Sequence, residues 1–567
     1  MSKAMGTIAL IVFCALIIAA PPARADWVNS GIAICAAVEN QTTPQIISDG
    51  LGGAIITWVD TRRFGGSGCG DIYAQKVNAS GVVQWTADGV VIRACNDGSR
   101  DPQIASDGAG GAIISWVDFS AMEPDIFAAR VNASGTVLWM GAICWANWNQ
   151  WHPQIISDGS GGAIITWDDE RSMIGEDPLG ADIYAQRVNA SGAFQWTSNG
   201  AALCARPGGQ TIPVLAPDGS GGAIVAWQDS RNGTSNNDIF AQRINASGDV
   251  QWAENGIAIS SAAGDQVIPQ IVSDGSGGAI VTWVDGGTYG NIYAQKVDAS
   301  GVVQWTTNGV VVRACGDGST DPQIASDGAG GAIIAWVDFS GMEPDILAGR
   351  VNASGTVLWM AGICGAHWTQ WHPQIISDGS GGAIVTWDDD RSAITEDPTS
   401  DDIYAQRVNA SGICQWTWNG VALCVLLGRQ TIPVLAPDGS GGAIVAWQDS
   451  RNGTSNNDIY AQNINGTGTG APEPCAAGYL RQNYPNPFNP TTRLEFGLEQ
   501  PGHVMLLIHD VAGRLVRVLV DEPRPAGNYS EIWDGRDKRG NAVASGIYFC
   551  RIDAGTFTQT RKMVLLK

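Results

Sequence analysis

Short apolar runs alternate with glycine-rich and Asn-x-Ser-Gly turns along most of the chain. In the first of these units the pattern predicts β-strands at 45–48, 54–58 and 71–77, and a fourth at 82–85 that runs on to 90–92. Short runs rich in Ile, Val, Thr and Trp, bounded by Gly, Asn and Asp, are typical of antiparallel hairpins. No segment shows the apolar period of an amphipathic helix. The chain is therefore predicted to be all-β.

The unit occurs eight times. Its consensus is P-Q-I-I-S-D-G-x-G-G-A-I-I-x-W-x-D followed by D-I-Y-A-Q-R-V-N-A-S-G-x-V-x-W, between residues 44 and 465. The tryptophans that anchor the repeats lie 51 to 60 residues apart, at Trp58, Trp116, Trp167, Trp227, Trp283, Trp336, Trp387 and Trp447. Such a period is typical of propellers and solenoids, in which each unit buries its faces against its neighbours.

A longer repeat is superimposed on the first. Trp58 lies 225 residues before Trp283, and Trp116 lies 220 residues before Trp336. The irregular connections recur at the same distance, because 230–237 returns as 450–457. We conclude that a block of four units was duplicated, so that units one to four correspond to units five to eight.

The ends of the repeat predict how it closes. Residues 27–35 match 252–259, the tail of a fourth strand, yet they precede the first unit, whereas the eighth unit ends near 465 without such a tail. The N-terminal segment can supply the strand that the last unit lacks, as in many propellers. An open solenoid would need polar capping repeats, and none is visible in the sequence. The prediction is an eight-bladed β-propeller over 26–465.

Loop lengths distinguish the two faces of such a ring. The connections between strands one and two and between strands three and four are uniform. Those between strands two and three vary, at 61–70, 119–124, 170–181 and 230–237 and in their duplicates. Variable loops on a rigid scaffold are where binding usually resides. The sequence therefore predicts that a ligand site lies on the variable face.

The first 25 residues have the pattern of a secretory signal peptide. Lys3 precedes an apolar run at 8–20, and the triplet Ala-Arg-Ala at 23–25 forms a cleavage site. The run is too short to span a bilayer and no other long apolar stretch follows, so no membrane span is expected in the mature chain. Because the formal net charge is −23, nucleic acid is a poor candidate partner.

Cysteine occupies one slot in seven of the eight repeats, and Ser260 fills that slot in the other. The seven are Cys35, Cys95, Cys144, Cys204, Cys315, Cys364 and Cys424. Equivalent positions on neighbouring units need not lie within disulfide reach, and a buried Cys often acts as a small apolar residue. Structural thiols are the preferred interpretation, with a disulfide framework as the alternative. No Cys/His cluster has zinc spacing, and no cofactor is predicted.

The repeated polar motifs are interpreted as structural. The Asp-Gly-x-Gly-Gly turns, such as the one at Asp49, suggest calcium, yet they lack alternating carboxylates and a downstream Glu. Tight hairpin turns are preferred, and no metal site is predicted. The W-x-D and D-I-Y aspartates, such as Asp60 and Asp71, are expected to tie strand ends together. Turn chemistry explains the repeated Asn-x-Ser sequons, such as the one at Asn78.

Two corresponding units depart from the consensus. Residues 144–152 and 364–372 carry additional Trp and His, and the second strands of the same units end in W-D-D-E-R and W-D-D-D-R. A hairpin centred on 159–160 pairs residue i with residue 319 minus i, which places His152 beside Trp167 and Asp168. The candidate binding residues are Trp145, Trp148, Trp151, His152, Asp168 and Arg171, with Trp368, Trp371, His372, Asp388 and Arg391 in the duplicate.

Three roles for these residues are open. Aromatic rings beside Asp, His and Arg suit a sugar, whose apolar face stacks while its hydroxyls form hydrogen bonds. Alternatively, the tryptophans plug a wide central channel and His152 bonds Asp168 as part of the scaffold. Catalysis by His152, Asp168 and Arg171, or by their duplicates, is the third role. Duplication favours a non-enzymatic role, because enzymatic propellers usually hold one asymmetric site.

A different module follows a linker at 466–483. Its motifs are YPNPFNPTT at 484–492, IHDVAGR at 508–514, PAGNY at 525–529, WDGRD at 533–537, SGIYF at 545–549 and RKMVLLK at 561–567. Short alternating strands with Gly and Pro turns predict a small β-sandwich. The ordered motifs resemble the C-terminal sorting domain of type IX secretion cargo and the related immunoglobulin-like domain of flagellar hook-capping proteins.

This resemblance covers 484–567 and implies a Gram-negative exported protein. The signal peptide would carry the chain to the periplasm, and the module would engage the export machinery that crosses the outer membrane. The repeats resemble propeller proteins of unassigned function that often bear this tail. The leading hypothesis is a secreted or cell-surface, non-enzymatic propeller that binds a glycan or protein. The alternative is an extracellular polysaccharide hydrolase or lyase.

Overall fold

The computed structural model describes an all-β protein. It describes residues 27–28, 30–63, 65, 70–172, 180–234, 236–341, 343–391, 401–453, 456–466, 479–480, 483, 486, 488, 490–498, 502–524, 527–555 and 557–566. The predicted signal peptide, 1–25, lies outside these residues, as does most of the predicted linker, 466–483. Among the described residues, no helix has the length and apolar character needed to cross a membrane.

The repeated part contains eight antiparallel sheets of four strands each. Their strands are β2 (Gln41–Ser48), β3 (Ala54–Asp60), β4 (Asp71–Val77) and β5 (Val90–Arg93) in sheet 1; β6 (Ser99–Ser106), β7 (Ala112–Asp118), β8 (Asp125–Val131) and β9 (Val137–Cys144) in sheet 2; β10 (Gln150–Ser157), β11 (Ala163–Asp169), β12 (Asp182–Val188) and β13 (Ala201–Cys204) in sheet 3; β14 (Gln210–Pro217), β15 (Ala223–Asp229), β16 (Asp238–Ile244) and β17 (Ile257–Ser260) in sheet 4; β18 (Gln266–Ser273), β19 (Ala279–Asp285), β20 (Asn291–Val297) and β21 (Val310–Arg313) in sheet 5; β22 (Ser319–Ser326), β23 (Ala332–Asp338), β24 (Asp345–Val351) and β25 (Val357–Cys364) in sheet 6; β26 (Gln370–Ser377), β27 (Ala383–Asp389), β28 (Asp402–Val408) and β29 (Val421–Cys424) in sheet 7; and β30 (Gln430–Pro437), β31 (Ala443–Asp449), β32 (Asp458–Ile464) and β1 (Ile32–Cys35) in sheet 8.

The cores lie between the sheets. All seven residues of β3 are buried, which agrees with its nearly continuous apolar sequence, because a strand covered on both faces has no polar side. One apolar cluster joins Ile55 and Ile72 of sheet 1 to Trp116 of sheet 2. Trp116, like the other tryptophans of the second strands, is fully buried. Each sheet therefore depends on its neighbours for burial.

The series of sheets returns on itself. The first strand of each sheet contacts the first strand of the next, and β30 of sheet 8 contacts β2 of sheet 1. Strand β1 pairs antiparallel with β32, with Ile32 opposite Ala461. An apolar cluster joins sheets 8 and 1 through Ile34, Trp58 and Ile444. The first and last sheets therefore pack as the other neighbours do.

The fourth strand differs from the sequence prediction. In sheet 1 the segment 82–85 contributes only an isolated bridge between Val77 and Val83, and the strand is β5. The cause is visible at Gln75, whose side chain accepts the backbone N–H of Trp85 at 3.0 Å and donates to the carbonyl of Thr86 at 2.8 Å. In sheets 2 and 6 this position is Ala129 and Gly349, which have no such side chain. The fourth strands of sheets 2 and 6, β9 and β25, are continuous over eight residues.

The glycine-rich turns are built on their aspartates. Asp49 Oδ1 accepts the backbone N–H groups of Leu51 and Gly53, each at 2.8 Å. Its other oxygen lies 3.3 Å from Lys76 Nζ. Gly50, at the tip, has φ of +75°, a conformation that favours glycine. The carboxylate is thus occupied by hydrogen bonds and an ion pair, as expected for a structural turn.

The C-terminal module is a sandwich of a three-stranded and a four-stranded sheet. Its strands are β33 (Tyr479–Leu480), β34 (Thr492–Leu498), β35 (Gly502–Asp510), β36 (Leu515–Arg524), β37 (Gly527–Trp533), β38 (Gly546–Ala554) and β39 (Phe557–Leu565). Their orders are β33-β34-β37 and β36-β35-β38-β39. The core between them includes Phe488, Phe496, Trp533 and Met563.

Candidate functional site

Each first strand contains a bulge at the residue before its proline. In β10 the pairing register shifts between Trp151 and Gln154, and His152 has φ of +50°. The same position has φ between +50° and +56° in all eight sheets, at Thr43, Asp101, His152, Ile212, Ile268, Asp321, His372 and Ile432. We call these the pre-proline residues. A positive φ costs roughly 1–3 kcal/mol outside glycine, and such outliers cluster at functional sites.

Side chains from neighbouring sheets hold this strained backbone. The N–H of Thr43 donates to Gln448 Oε1 at 2.6 Å, and that of Ile268 donates to Gln228 Oε1 at 2.7 Å. Both glutamines occupy the middle position of a W-x-D motif. Thr43 and Ile268 are therefore held by contacts across the sheet boundaries.

The pre-proline residues of sheets 1 to 4 line a cavity of about 310 Å³ that extends to sheet 5. Its polar lining includes the amides of Gln45, Gln103, Gln154 and Gln270, together with Asp101 and His152. Ile212 and several prolines provide apolar surface. The wall therefore combines groups that both donate and accept hydrogen bonds with small apolar patches.

His152 is held by a buried carboxylate. Its Nδ1 lies 2.8 Å from Asp168 Oδ1, and Asp168 is 3% exposed. The backbone N–H of Ile212 in sheet 4 also donates to Asp168. The hydrogen bond to Asp168 raises the pKa of His152, while burial raises that of Asp168. With Nδ1 engaged, Nε2 of this half-exposed ring remains available to a ligand.

The duplicate reproduces this pair. His372 Nδ1 lies 2.9 Å from Asp388 Oδ1, and Asp388 is 4% exposed. Asp321 precedes His372 in the series of pre-proline residues, as Asp101 precedes His152. Burial raises the pKa of Asp321. Each half of the repeated part therefore presents the same sequence of carboxylate, imidazole and isoleucine.

The predicted hairpin register holds only at the outer end of the strands. Trp151 lies opposite Asp168, as a constant register requires. Beyond the bulge, Gln154 lies opposite Thr166, one residue further than predicted. The constant register is wrong here because the left-handed residue adds one position to β10.

The candidate tryptophans do not gather around the histidines. Trp151 packs between sheets 2 and 3, with its ring 5.9 Å from Phe119 and 4.5 Å from the Arg100 guanidinium. Trp371 packs in the same way, 5.6 Å from Phe339. Neither is among the residues that line the cavity, so the structure offers no support for a tryptophan plug there.

The other candidate tryptophans lie on the connection from sheet 2 to sheet 3 and on its duplicate. Trp148 is 42% exposed and Trp368 is 44% exposed. Trp145 is 50% exposed and lies 5.8 Å from Phe194 of sheet 3. These side chains form a second exposed region, separate from the cavity lining.

Arg171 is placed away from His152, because Asp168 and Asp169 point to opposite faces of β11. Its Nε donates to Asp169 Oδ1 at 2.8 Å, and its Nη2 lies 3.1 Å from Cys144 Sγ. Asp169 also accepts the indole N–H of Trp167 at 2.8 Å. The same brace recurs at Arg62, Arg231, Arg391 and Arg451. Arg171 and Arg391 therefore belong to a repeated structural motif.

The cysteines of these braces are free thiols. Cys35, Cys144, Cys204, Cys364 and Cys424 are all buried, and none forms a disulfide among the described residues. Burial raises the pKa of Cys144 to about 12. A thiol of this kind is a poor nucleophile.

The pre-proline residues were not predicted as a group from the sequence. Thr43, Asp101 and Ile212 line the cavity with His152. One sequence signal marks them. In every repeat the proline of the first strand is unchanged, whereas the residue before it varies from copy to copy.

Comparison with known proteins identifies the C-terminal module. Residues 484–556 match the FlgD Ig-like domain family. The module extends past the matched range, because β39 pairs along β38 and contributes Met563 to the core. No curated protein matches the chain.

Several solved structures are similar to this chain at low identity. An ulvan lyase is 11% identical, with 65% of this chain and 94% of that chain covered and a TM-score of 0.42. An α-L-arabinofuranosidase of Fusarium graminearum is 10% identical, with 65% and 93% covered and a TM-score of 0.32. A protein of unknown function from Dyadobacter fermentans is 10% identical, with 76% and 96% covered and a TM-score of 0.36. At these values no activity is transferred to this chain.

Proposed function

We propose that residues 26–465 form an eight-bladed β-propeller whose pre-proline cavity binds a glycan or protein ligand outside the cell. The proposal rests on the pre-proline residues. Each of the eight first strands has a non-glycine residue with positive φ at the position before its proline, and in four consecutive sheets these residues line one cavity. The strain is repeated eight times, and at Thr43 and Ile268 it is held by side chains of neighbouring sheets. Such outliers are the kind that accompanies a binding site.

The lining favours a hydroxylated ligand such as a glycan. The amides of Gln45, Gln103, Gln154 and Gln270 can each donate to and accept from hydroxyl groups. The prolines and Ile212 offer surface to the apolar face of a sugar ring. A net charge of −23 disfavours polyanionic ligands at long range.

Isothermal titration of the purified protein with uncharged oligosaccharides tests this proposal. We expect the double variant Gln154→Ala and His152→Gln to weaken binding at least ten-fold, because both side chains line the cavity. His503→Gln, an exposed change in the C-terminal module, is the control and should leave the Kd unchanged. Binding that is retained in the double variant would place the ligand elsewhere.

The histidines favour a second candidate, a polysaccharide hydrolase or lyase. An imidazole whose Nδ1 is fixed by a buried carboxylate has the arrangement of a general base or acid. Assays for reducing ends and for unsaturated products would detect turnover. Turnover by the natural chain that is lost when His152→Gln and His372→Gln are combined would establish this candidate over pure binding.

We further propose that the C-terminal module is a sorting domain that exports the chain to the surface or medium of a Gram-negative bacterium. The match of 484–556 to an immunoglobulin-like family supports the module but leaves its role open. In a host with a type IX system, a chain truncated after Asn483 should remain in the periplasm while the full chain reaches the surface or medium. Equal export of both forms would make the module an appendage without a sorting role.

A further inference from the structure

The connection between β7 and β8 leaves a buried carboxylate without a partner. In four other sheets the residue that begins the third strand is bound by a side chain of the preceding loop: Asp71 by Arg63, Asp182 by Ser172, Asp238 by Asn232 and Asp458 by Asn452. Asp125 holds the same position in sheet 2 and is only 9% exposed. Among the described residues, no side chain or backbone group donates to its carboxylate.

The surroundings of Asp125 are negative. It lies directly opposite Asp118 across the β7–β8 pair. Burial first, and then the charges of Asp118 and Glu123, raise the pKa of Asp125 to about 6. Asp118 has its own cation, Arg93, with Nε and Oδ2 2.7 Å apart, whereas Asp125 has none among the described residues. A positive group that reached Asp125 would therefore relieve an existing electrostatic cost.

Exposed aromatic and apolar side chains lie on the two connections next to this carboxylate. The backbone N–H of Trp148 donates to Glu123 Oε2. Met122, which adjoins Glu123, is fully exposed, and Trp145 and Trp148 are half exposed. At Gly365, the counterpart of Trp145, an added Cβ would lie 3.8 Å from the carboxylate of Asp345, the counterpart of Asp125. By this equivalence, the Trp145 side chain begins beside Asp125.

We propose that Met122, Glu123, Asp125, Trp145 and Trp148 form a site for an organic cation, the lysine or arginine side chain of a partner protein. The carboxylates would pair with the ammonium or guanidinium group, and the indole faces would attract it further. The exposed methionine and tryptophans would cover the aliphatic stem. Within the described part of the chain, no three His, Cys, Asp or Glu side chains are grouped to hold a metal ion. The acidic protein as a whole complements a basic partner.

The duplicate of this site differs in one informative residue. His367 replaces Asn147, and its Nδ1 lies 3.5 Å from Glu343 Oε2. This imidazole therefore already occupies the carboxylate to which the ligand cation would bind. The copy in sheet 6 is expected to bind more weakly than the copy in sheet 2.

Saturation-transfer NMR with N-acetyl-lysine methylamide tests the site in the full chain. The neutral probe N-acetyl-norleucine methylamide has the same stem without the charge. We expect the lysine probe to bind and the norleucine probe to give no signal. Glu123→Gln and Trp148→Ala should each weaken the lysine probe at least ten-fold. Glu254→Gln and Trp418→Ala are matched controls, since both residues are exposed and lie outside the site.

Three further results decide between the alternatives. His367→Asn should strengthen binding, because it removes the competing side chain from Glu343 in the second copy. Equal binding of the norleucine probe would show a simple apolar patch and overturn the proposal. Displacement of the lysine probe by millimolar calcium but not by N-acetyl-arginine methylamide would identify a metal site instead, and would also overturn it. Glu123→Gln is a conservative change and Trp148→Ala is a change at an exposed residue. An unchanged near-ultraviolet circular dichroism spectrum would verify that both variants are folded.

Discussion

Asp118 and Asp125 lie directly opposite each other in one sheet, yet their acidities shift in opposite directions. Burial acts to raise the pKa of Asp118, but hydrogen bonds from Arg93 and Ser120 outweigh it and lower the pKa. Burial raises the pKa of Asp125 to about 6, since no such donors reach it. The same opposition recurs at Asp338 and Asp345 in sheet 6. Two carboxylates at paired positions thus make opposite contributions to stability.

The first prediction concerns Asp125→Asn. A carboxyl whose pKa is raised in the folded state binds a proton more tightly there than in the unfolded state. It therefore destabilises the fold at a pH above its folded-state pKa. This destabilisation is lost as the pH falls to the pKa of the unfolded state. We expect Asp125→Asn to raise the free energy of unfolding at pH 8 by up to about 3 kcal/mol and to have little effect near pH 4. Denaturant unfolding at both pH values measures this.

Asp118→Asn is the matched control and should have the opposite sign. A carboxyl with a lowered pKa stabilises the fold above its unfolded pKa, and this contribution is lost as the pH falls through the folded value. The variant should therefore be less stable than the natural chain at pH 8. If both variants shifted stability in the same direction, the assignment of Arg93 to Asp118 alone would be wrong.

The second prediction separates Arg171 from the binding site. Its guanidinium neutralises the buried Asp169 and lies over the ring of Tyr184, 3.7 Å from the centroid. Arg171→Ala should lower the free energy of unfolding by about 3 kcal/mol, because it leaves a buried carboxylate uncompensated. Oligosaccharide affinity at the pre-proline cavity should not change. A variant of normal stability with impaired binding would return Arg171 to the site.

The third prediction concerns the junction between sheets 8 and 1. Ile34 of β1 is 2% exposed, and Ile92, at the same position in sheet 1, is 4% exposed. If both junctions are equally packed, Ile34→Ala and Ile92→Ala should each cost about 2–4 kcal/mol. In thermal unfolding, the melting temperature of the repeated part should be lower in both variants than in the natural chain. A normal melting curve for Ile34→Ala alone would mean that β1 adds nothing to the ring.

Most of the repeated architecture can be predicted from the sequence, for a physical reason. A repeat reports the same environment eight times, so the buried runs and glycine turns identify strands that a single copy would leave ambiguous. The pairing of β1 with β32 is predictable from the sequence because residues 27–35 carry the motif of a fourth strand. The fourth strand itself was misplaced at 82–85, since the Gln75 side chain takes the backbone hydrogen bonds of Trp85 and Thr86 in place of the strand pairing.

The candidate site was predictable only in part. The pairing of His152 with Asp168 followed from counting across a hairpin. Grouping Arg171 with them failed, because Asp168 and Asp169 are adjacent in sequence but face opposite sides of the strand. The strain at the pre-proline residues could not be predicted, since the residue before proline is ordinarily extended. Tertiary contacts such as that between Thr43 and Gln448 hold it otherwise.

The last prediction tests that strain at Thr43. Thr43 has φ of +51°, a costly value for a β-branched residue, while Thr42 lies in regular pairing opposite Val59. Asparagine tolerates the left-handed region but is a poor strand residue. Thr43→Asn should therefore raise the free energy of unfolding by about 1 kcal/mol, whereas Thr42→Asn should lower it. Thermal unfolding of the two variants gives the comparison directly. If both substitutions destabilise the protein equally, the backbone at Thr43 is not strained, and the reason for placing the ligand at the pre-proline cavity is removed.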